Sequence, residues 1–248
     1  KTNHRRITMS QHHHHHPPKT FTPSSLLSFS TLLLLFAISN ALTTSSPSNN
    51  NNNNNKSPST PILRQPIGRI TNLQRVKIDL EIDDIFYAQP NMDVHADKAF
   101  RIKLTSLYDE LIKDGDVVLD MMSSHVSHLP NKQLGRVDVH GMNQAELLAN
   151  KARIETNGKI FLRNLNENPS FLDLINTNAS YDAILCCVGV QYLEEAEAVF
   201  AEVGRILKPG GVVIVSFTNR FFYQKALTGW IERGMSGRAT LVCDYLRA

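Results

Sequence analysis

The chain has 248 residues with 26 Lys and Arg against 23 Asp and Glu, but no acid occurs before Asp79, whereas nine of the basic residues do. Residues 79–248 therefore hold 17 basic and all 23 acidic residues, a net of −6, and the overall +3 belongs to the leading segment. A nucleic-acid partner inferred from net charge is excluded, and Cys186, Cys187 and Cys243 are too few for a disulfide framework. They read as small buried hydrophobes in a reducing compartment.

Residues 1–65 read as a disordered targeting segment and linker. Met9 is a candidate start. The stretch from 9 to 65 is rich in Ser, Thr, Pro, Asn and His, and the Asn49–Asn55 run cannot bury enough apolar surface to fold. This composition predicts a chloroplast transit peptide, removed on maturation, with mitochondrial import and secretion as alternatives. The secretory alternative rests on the apolar Leu32–Ile38 and the small residues of Ser39-Asn40-Ala41. Ser28, Ser30, Thr31 and Ser39 interrupt the apolar run from Leu26 to Leu42, so no stable membrane span is expected. His12–His16 read as low-complexity sequence rather than a metal site.

Residues 66–114 form an extended lead-in and an N-terminal helix from Asp93 to Lys113. Asp93 is the expected cap, and apolar residues from Ala96 to Leu111 return at spacings of three and four. From residue 115 to 248, strands alternate with helices. Strands are expected at Val117–Met121, Arg136–His140, Ile160–Arg163, Tyr181–Val188 and Val212–Phe217. Helices are expected at Gln144–Ala152, Phe171–Ile175, Glu194–Leu207, Phe221–Arg233 and Leu241–Leu246. This predicts an α/β fold, a Rossmann-like doubly wound, mostly parallel sheet with flanking helices. Ligand is then expected beyond the carboxyl ends of the strands.

Two stretches carry a family resemblance. Val117-Val118-Leu119-Asp120 is an apolar strand ending in an acid. Ile206-Leu207-Lys208-Pro209-Gly210-Gly211-Val212-Val213-Ile214-Val215 is a helix end, a Pro-Gly-Gly turn and a β-branched strand. Together they resemble class I S-adenosylmethionine-dependent methyltransferases of the type 11 group, over roughly residues 115–248. The run from Asp120 to Pro130 and the later Gly141-Met142-Asn143 resemble plant-type members of that group. The usual Gly-x-Gly turn is replaced by Met121-Met122-Ser123-Ser124-His125.

The resemblance implies S-adenosyl-L-methionine as cofactor and a small-molecule acceptor, with no nucleic acid. It implies that Asp120, Ser123 and Ser124 meet the amino-acid part of the cofactor, Asn143 the ribose, and Asn164 with Leu165 the adenine. Asp120 and Asn143 are expected to point into one crevice. Gln191 and Tyr192, with His125 or His128 as proton acceptor, are the candidates at the methyl acceptor. Arg220 is either a partner for an acidic substrate or a solvent-facing helix start. His125 and His128 have no third ligand at known spacing, so no metal is expected. A non-catalytic binding or scaffold protein of the same fold is the alternative, while the absence of Gly-x-Gly-x-x-Gly after the first strand argues against a nicotinamide enzyme. The family's final strand pair is missing, so the chain reads as C-terminally truncated, with an unpaired edge along Val212–Phe217.

Overall fold

A computed structural model describes residues 36–39 and 70–247. The remaining parts of the expected targeting segment lie outside the described residues. In chain order the elements are β1 (Phe36–Ser39), α1 (Asp83–Phe86), α2 (Lys98–Leu111), β2 (Val117–Met121), β3 (Arg136–Gly141), α3 (Gln144–Ala149), α4 (Lys151–Glu155), β4 (Ile160–Leu162), β5 (Tyr181–Cys187), α5 (Ala196–Ile206), β6 (Leu207–Ser216), α6 (Thr228–Ile231) and α7 (Met235–Tyr245). The sheet order is β1-β6-β5-β2-β3-β4. The five strands β2 to β6 are parallel, as the alternation of strands and helices requires, and β1 alone is antiparallel.

The sheet is buried on both faces, which is why its strands read as nearly continuous apolar runs. Side chains alternate between two cores. Leu119, Met121, Ile184, Cys186, Val213 and Val215 face α5 and α7. Val118, Val139, Ala183, Leu185 and Ile214 face α2 through Phe100, Leu104 and Tyr108, all fully buried. The N-terminal helix α2 therefore packs as a wall against the sheet.

Several boundaries depart from expectation for local reasons. Helix α2 starts four residues late, because Asp97, not Asp93, caps it by accepting from the Phe100 N–H at 2.9 Å. The helix expected over 144–152 is broken at Asn150, whose extended backbone (ψ 112) ends α3 and whose side chain caps α4. Residues 171–175 form a turn, and the helix expected over 221–233 shrinks to α6. Pairing of β6 with β5 jumps from Tyr181–Leu207 to Ala183–Val212, so Lys208–Gly211 bulges out of the sheet. The edge of β6 expected to be open pairs instead with Phe36–Ser39, four residues of the segment expected to be disordered. No helix among the described residues is long and apolar enough to cross a membrane.

Candidate functional site

A cavity of about 1050 Å³ opens where the carboxyl ends of β2, β3, β4 and β5 meet the lead-in. Asp120, Ser123, Ser124, His125, Asn143, Asn164, Leu165 and Tyr192 all line it, so the topology gathers most of the expected site residues. Asp120 and Asn143 do share this crevice. Gln191 is the exception. It is buried, its amide donates to the Val188 carbonyl at 2.8 Å, and it shapes the turn after β5 instead of facing the cavity.

Asp120 ends β2 and is 2 % exposed. Its carboxylate accepts from the Ser123 hydroxyl at 2.6 Å, and no basic side chain among the described residues pairs with it. Burial pushes its carboxyl up to about 6, against a weaker opposing pull from the Ser123 and Ser127 hydroxyls. The loop that replaces the glycine turn is held from behind by Asn150, itself fully buried. The Asn150 amide donates to the Ser124 carbonyl and the Ser127 hydroxyl, both at 2.9 Å. Ser123 and Ser124 are thus partly committed within the loop, Ser123 to Asp120 and Ser124 to the His125 Nδ1 at 3.1 Å.

His140 has a structural role that its place in the sequence does not signal. Its Nδ1 accepts the Met122 N–H at 3.1 Å and its Nε2 donates to the Arg163 carbonyl at 3.2 Å, tying the ends of β2, β3 and β4 together. Burial lowers its imidazole to about 4, so it stays neutral in the tautomer those two bonds need. Beside it, an added Cβ at Gly141 would lie 2.6 Å from the Ser123 carbonyl oxygen, so the residue ending β3 must be glycine for the loop to cross there.

Asn143 does not present a free group to the cavity. Its side-chain oxygen accepts from Ala145 N–H and Glu146 N–H as the cap of α3, and its amide donates to the Tyr87 and Ala88 carbonyls, both at 3.0 Å. Every polar atom is spent, so the expected ribose bond is corrected to a clamp between α3 and the lead-in. Asn143→Ala should cost about 2 kcal/mol, the sum of a lost cap and two lost donors. Asn143→Asp should also destabilise, because a carboxylate would face two carbonyls, and denaturant midpoints of the two variants check this. An Asp variant as stable as the parent would contradict the clamp.

Asn164 is half committed, its oxygen accepting from Asn166 N–H and its amide donating to Asp84 at 3.3 Å. Leu165 is buried and forms an apolar wall of the cavity. Tyr192 accepts the Phe222 N–H at 2.9 Å, which leaves its own hydroxyl proton free to donate. Around it stand Phe86, Tyr87, His95 and Phe222, with Phe222 edge-on to Phe86 and to His95 at 5.5 and 5.3 Å.

Among the described residues five non-glycine residues have a left-handed backbone, and three of them, Met122 (φ 55), His128 (φ 53) and Val188 (φ 54), line this cavity. Val188 is β-branched, for which this conformation is a strong outlier. Met122 and Val188 follow the neighbouring strands β2 and β5, and an added Cβ at Gly189 would lie 2.8 Å from the Met122 Cβ. The two loops are thus pressed together at the cavity floor, and such strain concentrates where a site is preorganised.

The lead-in is fastened over the cavity by buried charge. Lys77 pairs with Asp83 at 2.5 Å and with Glu194 at 3.0 Å. Lys225, with a fully buried side chain, lies 3.5 Å from Asp83 and 3.4 Å from Asp79, donates to the Glu81 carbonyl, and sits 5.0 Å over the Phe86 ring. Asn166 bridges Asp83 to the Tyr192 carbonyl. Asp83 and Phe86 both face the cavity. Among the described residues no group of three His, Cys, Asp or Glu side chains is placed to hold a metal ion.

Residues 123–215 match a family described as a methyltransferase domain. A search of curated proteins finds no match. An S-adenosylmethionine-dependent methyltransferase structure from Aquifex aeolicus is 14% identical, with 60% of this chain and 88% of that one covered and a TM-score of 0.42. One from Mesorhizobium loti is 17% identical, with 45% and 51% covered and a TM-score of 0.36. Geranyl diphosphate C-methyltransferase from Streptomyces coelicolor is also 17% identical, with 46% and 42% covered and a TM-score of 0.36. The chain spans about half the length of the first solved structures it matches. The methyltransferase-domain match spans β3, β4, β5 and nearly all of β6, and so lies across most of the sheet that carries the cavity.

Proposed function

We propose that the cavity binds S-adenosyl-L-methionine and that the chain directs its methyl group to a small-molecule acceptor. One observation carries the reading. Asp120 is a buried carboxylate lining the cavity, bonded only to hydroxyls, with no cation among the described residues to balance it. A site of that kind suits a cationic ligand, and the cofactor carries an ammonium and a sulfonium. The size is also suitable, since about 1050 Å³ is at the upper end of the range for small-molecule pockets and leaves room for two ligands.

The cofactor supplies an electrophilic methyl on sulfur, and the protein's part is mainly alignment. Asp120 and the loop Ser123–Ser124 would hold the amino-acid end, and Leu165 and Asn164 the adenine end. No carboxylate ends β3, where Gly141 stands, so the ribose is left to neighbouring groups. Tyr192, Phe222, Phe86 and Tyr87 form an apolar, aromatic wall that excludes water from the acceptor. His125, with Nδ1 engaged by Ser124, has Nε2 available to take a proton from the acceptor.

Calorimetric titration with S-adenosyl-L-methionine tests the reading. Binding at micromolar Kd or tighter is expected, about −8 kcal/mol, with a loss of about tenfold or more in Asp120→Ala. Heat from the wild type no greater than dilution would contradict it.

We also infer plastid targeting for the segment ahead of the domain, supported by its acid-free, Ser- and Thr-rich composition. Cleavage beyond Ser39 would remove β1 and bare the edge of β6. Mass spectrometry of the mature N-terminus decides whether β1 survives. A mature chain that starts near Met9 would contradict removal of the segment.

A further inference from the structure

A second, shallower cleft of about 430 Å³ lies on the outer side of α2, lined by Lys98, Arg101, Ile102, Thr105 and His128. Lys98 and Arg101 are three residues apart and so share one helix face. His128 arrives from the loop after β2, fixed by the Thr105 hydroxyl donating to its carbonyl at 2.8 Å. The chemistry is one-signed. Two cationic side chains and an imidazole that burial keeps neutral line the cleft with no carboxylate, and none of them has an ion pair among the described residues. The Arg101 Nε has no hydrogen-bond partner among the described residues, so this edge of the guanidinium is not held by a carbonyl or carboxylate of the fold. His128 also lines the main cavity, so this one residue borders both spaces.

We propose that Lys98, Arg101 and His128 form an oxyanion site that holds a phosphate group on the ligand whose organic part reaches into the main cavity. Arg supplies a planar fork and Lys a point charge, the usual pair for phosphate. The inference rests on the methyltransferase reading only in taking that ligand to be the methyl acceptor. The site itself stands on its own geometry.

The test uses the whole chain with labelled histidine and two probes, inorganic phosphate and 1-naphthyl phosphate. The His128 ring resonance is assigned by its loss in His128→Gln. In the free protein this imidazole is held down to about 4 by burial first, then by the Arg101 and His125 charges. A bound phosphate should move its titration upward by about a unit or more. Arg101→Gln should weaken 1-naphthyl phosphate about tenfold or more, and Arg101→Lys by a smaller factor, since it keeps charge and loses the fork. Lys98→Gln serves if the Arg101 variants fail to fold. S-adenosyl-L-methionine affinity should stay within about twofold in the Arg101 and Lys98 variants.

Unchanged phosphate binding in Arg101→Gln and Lys98→Gln, or a His128 titration indifferent to either probe, would overturn the proposal. Equal affinity for the two probes would overturn the claim that the ligand spans both spaces. Naphthyl phosphate binding without any S-adenosyl-L-methionine binding would instead overturn the methyltransferase reading and leave this site standing.

Discussion

Lys225→Met should lower the stability of the chain by about 3 kcal/mol, the scale on which breaking a buried ion pair is felt. Lys225 carries no exposed side-chain surface, and it faces Asp79, Asp83, the Glu81 carbonyl and the Phe86 ring at once. Removing the ammonium leaves Asp83 with Lys77 and the Asn166 amide and strips the Glu81 carbonyl of this donor. For a domain of this size the melting temperature should drop by roughly 6 to 12 °C. The damage should also reach the cavity, because Asp83 and Phe86 line it. Lys225→Arg, which keeps the charge, should lose less. A Met variant within about 1 kcal/mol of the parent would show that the ammonium roughly breaks even against its own desolvation.

Asp120→Asn should be more stable than the parent at pH 8 by up to about 3 kcal/mol, and equal to it at pH 4. The folded carboxyl sits at about 6, above its ordinary 3.8, because burial disfavours the charge. Between those values the folded protein binds more protons than the unfolded chain. Stability from this group is therefore complete below about pH 4 and is lost as pH rises through 6. An uncharged amide avoids that loss and can still accept from Ser123. Denaturant midpoints of both proteins across pH 4 to 8 measure the difference. Parallel curves would mean that Asp120 is not buried as a charge. A stabilising change that also abolishes ligand binding is the trade-off expected of a functional site.

The parts legible in the sequence are those set by local rules. Strands β2 and β5 were readable because burial on both faces makes them nearly continuous apolar runs, whereas β3 shows only Val137 and Val139 between polar residues. Asp120 was readable because an acid closing such a run is conspicuous. Asn143 was placed at the right edge but in the wrong role. The last residue of β3 is Gly141, and Asn143 with Glu146 three residues later is a helix-start pattern that could have been read as a cap. Gln191 could not be judged, since whether a turn residue faces in or out depends on the Val188 backbone, whose left-handed conformation has no compositional signal. The roles of Lys225 and His140 depend on partners brought together by the tertiary fold, the first of them 144 residues away in Glu81. The strand Phe36–Ser39 was hidden because its composition suits an import signal as well as it suits a sheet edge.

Proton exchange on binding tests most directly whether Asp120 meets a cationic cofactor in the cavity above β2. Calorimetry at pH 5.5 in two buffers of different ionisation enthalpy counts the protons exchanged on binding S-adenosyl-L-methionine. With the carboxyl at about 6, some three-quarters of it is protonated at that pH, and a bound cation should drive it to the charged form. Release of roughly 0.7 proton per chain is expected, and none in Asp120→Asn. Binding with no proton released by the wild type would contradict it.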